Sequence, residues 1–303
     1  MEGDKLARNQ QIAGGAAAET PLVSVCVITY NHAPFIAQCL DGIVRQQTNF
    51  SFELIVHDDA STDGTADIVR QYAEEYPDVI ISILQEENQW LKGRAAPHIL
   101  PKVNGRYMAL CEGDDYWSDP NKLQKQVGIL EANKEYSLCF HNVNTHWENG
   151  KSEDRLVVDS NVPSGRFTTR HVIKNSPRIA TCSMVFRTEW MYPAPQWCQQ
   201  TSARDKASQL ILSTRGDIFY ISDVMSVYRL NESSVSKDYT DFDRFKITFG
   251  LFRLFNGYTH GRYLHNMAWR LVSFVCAMVL RSAKAVVKAV LQIFGFFAED
   301  KES

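Results

Sequence analysis

Two short acidic runs are the residues best suited to chemistry: VHDDASTDGT at 56–65 and CEGDDYW at 111–117. Aspartate is a common turn former and helix cap, so either run alone says little. Two of them at the ends of strands in one sheet say more, because carboxylates gathered in a crevice repel one another by roughly several kcal/mol at low effective dielectric. They stay ionised only beside a cation or hydrogen-bond donors, and hard oxygen ligands select Mg2+ or Mn2+. Mg2+ in particular combines few protein carboxylates with substrate phosphates, which points to a nucleoside diphosphate partner. No GxxxxGK[ST] loop is present and no GxGxxG follows the first apolar run, so the P-loop and dinucleotide classes are disfavoured. The phosphates must be held by metal and side chains. His57, His141 and the other histidines are scattered without ligand-like spacing and read as core or turn residues.

The elements that must position these loops follow from pattern. Leu22 to Tyr30 (LVSVCVITY) is a short β-branched run between Pro21 and Asn31-His32-Ala33-Pro34, which predicts a buried strand and then a helix over about 34–47. Phe52 to His57 predicts a second strand, and a helix capped at Thr62 or Asp63 runs to about Tyr76, where Pro77 stops it. Val79 to Leu84 and Arg106 to Cys111 make the third and fourth strands, with a helix starting near Asp119-Pro120. Later strand material is expected at 137–146, 181–187 and 216–229, around a helix near 203–213, while 147–163 reads as loop. Strand and helix alternating at this spacing predict an α/β fold with a mostly parallel sheet flanked by helices. Ligands in such sheets sit beyond the carboxyl ends of the strands, so the loops after Tyr30, His57, Leu84 and Cys111 are expected to converge on one crevice.

The segments VSVCVITYNH, FELIVHDDASTDGT and NGRYMALCEGDDYWSDPNKLQKQV resemble the nucleotide-binding half of family-two glycosyltransferases with the GT-A fold. The likeness is close over about 21–142 and looser over 181–236. It implies an inverting transfer of a sugar from a nucleotide diphosphate donor, a UDP-sugar favoured, to an acceptor hydroxyl on a glycan or lipid-linked molecule, assisted by Mn2+ or Mg2+. By the resemblance Asp59 contacts the base with Asp58 beside it, and Tyr30 and Asn31 join the donor-binding set. Asp114 and Asp115 take the metal and ribose positions of the family's DxD-type motif, whose first place is Glu112 here. The base that takes the acceptor proton falls on Asp205 in SARDKASQL; capping of its helix, or pairing with Arg204 or Lys206, is the alternative reading. Arg94, in NQWLKGRAAPH, is placed either to meet the base or diphosphate or to stay solvated. Trp117 either stacks on the acceptor sugar or is a buried aromatic. After the Tyr-Arg pair of DVMSVYRLNESSVS relatives often carry a histidine, where this chain has Asn231. A catalytically silent binder of nucleotide sugar or glycan is the competing class, favoured if Asp205 is remote from the crevice. A nucleotidyltransferase is disfavoured, since TYNHAPF stands where a Gly-rich basic loop is expected.

With 303 residues, 45% hydrophobic and 22% charged, the chain is long enough for a sizeable core. Seven cysteines without a CxxC pair read as reduced structural thiols of a cytosolic protein. Residues 1–20 lack the apolar stretch of a signal peptide and are expected to be a flexible lead-in. A GT-A-like domain is expected over 21–240, with its nucleotide-binding half at 21–142 and acceptor half at 143–240, followed by a basic helical tail at 241–303. From Arg244 to Ala298 there are eight Lys/Arg and no Asp or Glu, which leaves 24 basic against 35 acidic residues elsewhere, a balance of −11. A basic tail on an acidic body is suited to an anionic surface rather than to nucleic acid. On a helical wheel over 269–297, Arg270, Arg281, Lys284 and Lys288 share one narrow ridge and nearly all else is apolar. Its uncharged runs are too short for a span of about twenty residues. The expectation is an interfacial amphipathic helix that makes the protein peripheral on the cytoplasmic face of a membrane, with packing on a second subunit as the alternative.

Overall fold

The computed structural model describes residues 20–89, 95–148, 150, 153–175, 177–230 and 239–293. Strands β1 (Val23–Thr29), β2 (Phe52–Asp58), β3 (Ile80–Leu84) and β4 (Tyr107–Glu112) pair in parallel in the order β3-β2-β1-β4. Between them run helices α1 (Ile36–Val44), α2 (Thr65–Glu75) and the short α3 (Ala95–Ile99). The sheet continues through β9 (Val185–Arg187), β6 (Tyr136–Trp147) and β10 (Asp217–Leu230) to β5 (Tyr116–Trp117). The β6–β10 pairing is parallel, whereas β9 lies antiparallel between β4 and β6 and joins the two parallel blocks. Residues 181–183 form a 3-10 turn rather than strand, and the predicted loop at 147–163 contains the two-residue strand β7 (Arg155–Leu156); β8 (Gly165–Phe167) pairs with β10.

Period-two and period-3.6 patterning explain how the layers form. In β1 the side chains of Val23, Val25 and Val27 join one apolar cluster and Cys26 the other, so this strand is buried on both faces. Helix α1 buries Ile36, Cys39, Leu40, Ile43 and Val44, a 3-4 spacing that lays one stripe on the sheet. On the same face α4 (Lys122–Ala132) contributes Leu123, Val127 and Leu130. The opposite face is covered by α5 (Thr169–Lys174), α6 (Arg204–Arg215), which contributes Leu210 and Ile211, and α7 (Asp241–Tyr258), which contributes Leu251, Phe252 and Phe255. Helix α7 opens with a capping box in which Thr240 Oγ1 accepts from Asp243 N at 3.1 Å and Asp243 accepts from Thr240 N. All seven cysteines are free, and only Cys276 is exposed.

The tail differs from a simple appendage. Helix α8 (Leu264–Ile293) starts five residues before the wheel pattern suggests, because Tyr263 and Met267 are buried in the second core cluster with Phe255. One member of the expected basic ridge faces protein, Arg281, which pairs with Asp241 of α7 at 3.0 Å; Arg270 lies over the Phe274 ring of its own helix. The apolar residues Trp269, Val272, Val275, Val279 and Leu280 are exposed, the last two at 62% and 63%. Among the described residues no helix is long and apolar enough to cross a membrane.

Candidate functional site

Register brings the two acidic loops to the same end of the sheet. Across β1, Thr29 stands beside Asp58 of β2, and Ile28 stands beside Glu112 of β4. The loop after β1 is tied to the loop after β2: Asn31, at φ 54°, accepts from Thr62 N at 2.8 Å and its N–H donates to Ser61 Oγ. Asp63 fastens the same pair, accepting from Ala33 N and Thr65 N. Gly113 is pressed onto Thr29, so that a Cβ there would collide with the threonine side chain and the acidic loop admits only glycine.

Within this frame the carboxylates differ sharply. Asp58 is buried and accepts from Ser61 N at 3.0 Å and from Ser61 Oγ, which makes it a turn-building group. Asp59 is also buried; its Oδ1 accepts from Gln89 N at 2.6 Å and its own N–H donates to Thr29 O. Tyr30 is 46% exposed at the rim. Asp114 keeps 19% of its side chain accessible, with His32 Nε2 at 3.9 Å. Burial holds the His32 ring below its ordinary pKa despite Asp114, Asp63 and Asp58 around it.

Asp115, the other aspartate of the expected metal set, lies deeper than Asp114. Its residue is fully buried, Oδ1 accepts from Arg229 N at 2.9 Å, and the Cys182 thiol lies beside it. Burial, reinforced by Glu112 and Asp114, pushes its carboxyl well up. Its Oδ2 is buried without a hydrogen-bond partner. Glu112 stands between the two: burial first, then Asp114 and Asp205, push it up to about 7, and its Oε2 is buried without a hydrogen-bond partner. Asp205, exposed in the first turn of α6, makes no capping bond there, and its side chain has no hydrogen bond or ion pair among the described residues. Glu112 feels the charge of Asp205 across 93 residues of sequence. Trp117 is buried, with Nε1 donating to Cys182 O at 3.0 Å, so it is a core aromatic and not a sugar platform. Arg94 and Asn231 lie outside the described residues.

Arg229 carries no assigned role in the sequence reading, yet it organises the acidic loop. It is buried, its N–H holds Asp115, its Nη1 donates to Asp114 O at 2.7 Å and its Nη2 to Gln38 of α1. Its Nε pairs with Glu148 at 2.5 Å, and the guanidinium sits between the Phe35 and Tyr116 rings. One planar cation thus joins α1, the acidic loop and the ends of β6 and β10. The only signal in the sequence was its place in the Tyr-Arg pair.

A hard cation suits what remains. Asp114 is the accessible carboxylate, Glu112 offers an unpartnered oxygen, and among the described residues no three His, Cys, Asp or Glu side chains gather to hold an ion by themselves. Such a set fits an ion that takes one or two carboxylates and fills its shell with phosphate oxygens.

The fold and the two-loop crevice define a GT-A-type α/β protein. The profile described as Glycosyl transferase family 2 matches residues 24–191, and the chain belongs to that family. An uncharacterized protein of Mycobacterium tuberculosis is 41% identical over 134 residues, which is 44% of this chain and 38% of that protein; the match thus spans well under half of the relative's length. TuaG of Bacillus subtilis, named provisionally as a teichuronic acid biosynthesis glycosyltransferase, is 28% identical over 219 residues, 72% of this chain and 82% of that one. Two solved structures share the fold. S. aureus TarS 1–349 in complex with UDP-GlcNAc has a TM-score of 0.59 at 20% identity, covering 77% of this chain and 66% of that chain. The mannosyltransferase PcManGT from Pyrobaculum calidifontis, in complex with GDP-Man and Mn2+, has a TM-score of 0.58 at 21% identity, covering 98% and 89%.

Proposed function

We propose that this chain is an inverting glycosyltransferase that moves a sugar from a nucleotide diphosphate donor to an acceptor hydroxyl in surface-polysaccharide or lipid-linked glycan synthesis. The observation that carries the reading is the pair of acidic loops that strand register brings together at the carboxyl ends of β1, β2 and β4, with Asp205 of α6 near enough for Glu112 to feel its charge. Asp205 takes the acceptor proton while the acceptor oxygen forms the new bond to the sugar and the diphosphate leaves with the electron pair of the old one. Asp59, Tyr30 and Asn31 line the nucleotide end, and Asp114, with Glu112, would hold Mn2+ or Mg2+. When bound, that ion neutralises the departing diphosphate. The names of TuaG, TarS and PcManGT, and the nucleotide sugars bound to the last two, support the donor class.

Asp205→Asn tests this. The substitution keeps shape and leaves the donor loops alone, so donor affinity is expected to stay within about twofold while turnover falls roughly 10²-fold or more. Wild-type turnover in the variant, measured with a donor chosen by screening UDP- and GDP-sugars against membrane extract, would make Asp205 a helix residue only.

The reading also places the protein on the cytosolic face of a membrane. Its support is the exposed stripe Val272, Val275, Val279 and Leu280, at helical spacing, in a segment without acidic residues. Changing these four to serine removes no core contact. Partition into vesicles of phosphatidylglycerol and phosphatidylcholine is expected to drop at least about tenfold, with donor hydrolysis unchanged. Unchanged partition, or a dimer lost on sedimentation, would give the stripe to protein instead.

A further inference from the structure

A cavity of about 310 Å³ opens between residues 200–202, which lead into α6, and one side of α7. None of its lining comes from the loops after β1, β2 and β4. Its place is nevertheless tied to the proposed base. Ser202 lines it and stands three residues before Asp205, so the two Cα atoms are at most about 11 Å apart. The lining divides by chemistry. Ile247 and Leu254 supply an apolar wall; Gln200 and Ser202 supply an exposed amide and hydroxyl with no hydrogen-bond partner among the described residues; Lys246 and Arg253 supply two exposed cations. Gly250 lies between those cations, one helical turn from each, in the middle of α7. Glycine in a helix interior is destabilising relative to alanine, and packing does not demand it here, since nothing lies within 4 Å of where its Cβ would stand. The missing side chain leaves a dent in the helix surface, inside the cavity, with a cation on either side. Lys246 meets Asp243 at 3.9 Å and the Phe242 ring at 4.3 Å, and Asp243 is engaged with Thr240 in the capping box. Arg253 has no carboxylate partner among the described residues.

We propose that this cavity is the acceptor subsite and that it takes a sugar phosphate, the phosphate seated over Gly250 between Lys246 and Arg253. The sugar ring then lies on Ile247 and Leu254, with hydroxyls toward Gln200 and Ser202. This rests on Asp205 as the base, because the hydroxyl that loses its proton must lie beside it. An uncharged sugar would use the amide, the hydroxyl and the apolar wall, and would leave the cations and the dent without a part. A phosphate uses them all, since guanidinium and ammonium groups both give charge-assisted hydrogen bonds to its oxygens. The volume is at the small end for ligand pockets, which suits a single sugar phosphate better than a nucleotide sugar. A lipid-linked sugar phosphate and a free one present the same group to these residues.

The probes are the 1-phosphates of glucose, galactose, mannose and N-acetylglucosamine, their parent sugars, and the citronellyl ester of the preferred 1-phosphate as its lipid-linked form, each titrated calorimetrically into the full chain. At least one 1-phosphate is expected to bind at least about tenfold tighter than its parent sugar, and less tightly as salt rises. Gly250→Leu fills the dent without changing charge. It is expected to weaken that 1-phosphate about tenfold while the thermal midpoint does not fall, because leucine is the better helix former and has open space. Combined Lys246→Gln and Arg253→Gln is expected to weaken it by a similar factor of about ten, with UDP and GDP affinity unchanged. Tighter binding of the citronellyl ester supports the subsite with a lipid-linked acceptor, and equal binding supports it with a soluble one. No preference for phosphate in any pair, or a Gly250→Leu variant that binds as wild type does, overturns it. So does a loss of UDP or GDP affinity in the variants, which would give the cavity to the donor, or a loss confined to phosphatidylglycerol vesicles, which would give the cations to the bilayer. If Asp205→Asn keeps full turnover while the 1-phosphate still binds through Lys246 and Arg253, the base assignment fails and the phosphate site stands.

Discussion

Asp114→Ala is expected to lower sugar transfer roughly 10³-fold, about 4 kcal/mol of transition-state stabilisation, because it removes the accessible carboxylate of the acidic loop, the one proposed to hold the metal. Donor binding separates this from a general loss of structure. In the wild-type chain Mn2+ should tighten UDP or GDP, and the variant should bind both as weakly as wild type does in EDTA. Asp115→Asn is the informative control. Burial pushes that carboxyl well above its ordinary pKa, and an amide of the same shape can still accept from Arg229 N through its oxygen. Its donor affinity in Mn2+ should follow wild type, although the two aspartates are adjacent in the chain. Full transfer in EDTA, or an Asp115→Asn variant that loses the Mn2+ effect while Asp114→Ala keeps it, would reverse the assignment.

That contrast also marks what the sequence could and could not reveal. The parallel block was legible because each strand is a short apolar run between turn residues, and because β1 and β2 are buried on both faces. The acidic loops were legible for the same reason: they close those runs, and the pairing of β1 with β2 and β4 brings their ends together without further information. The difference between Asp114 and Asp115 was not, since it depends on Arg229, which lies 114 residues away and reaches the loop only through the pairing of β10 with β5. The strand carrying it has register shifts between Ile221 and Val224 and again before Ser226, which no periodic pattern anticipates. Trp117 and Arg270 illustrate the same limit. A tryptophan beside two aspartates, or an arginine on an apolar wheel, looks the same in sequence whether it faces solvent or protein; here one is buried against Cys182 and the other is half-buried over the Phe274 ring.

Lys122→Met is expected to stabilise the protein below neutral pH. Lys122 opens α4 directly behind the acidic loop; its side chain is wholly buried, and its Nζ lies 3.8 Å from the centroid of the Trp117 ring with no hydrogen-bond partner. Burial brings the amine down to about 7, against an ordinary 10.5, with Cys111, Cys182 and Cys139 opposing the shift. Between those two pH values the unfolded chain binds a proton that the folded chain does not, so this group makes stability rise with pH across the window. Below about 7 the ammonium is held in the core in full, and the penalty is largest. Methionine has nearly the same volume and no charge, so the core is kept and the penalty removed. After allowance for relaxation around the site, the gain at pH 6 is expected to be on the order of 3 kcal/mol, shrinking toward zero near pH 10. Urea unfolding of both proteins at several pH values measures it as the difference in midpoint at equal slope. A variant that is less stable than wild type by the same amount at every pH would mean that the buried ammonium is satisfied in place, most simply by an enclosed water, and that its contact with Trp117 supports the fold.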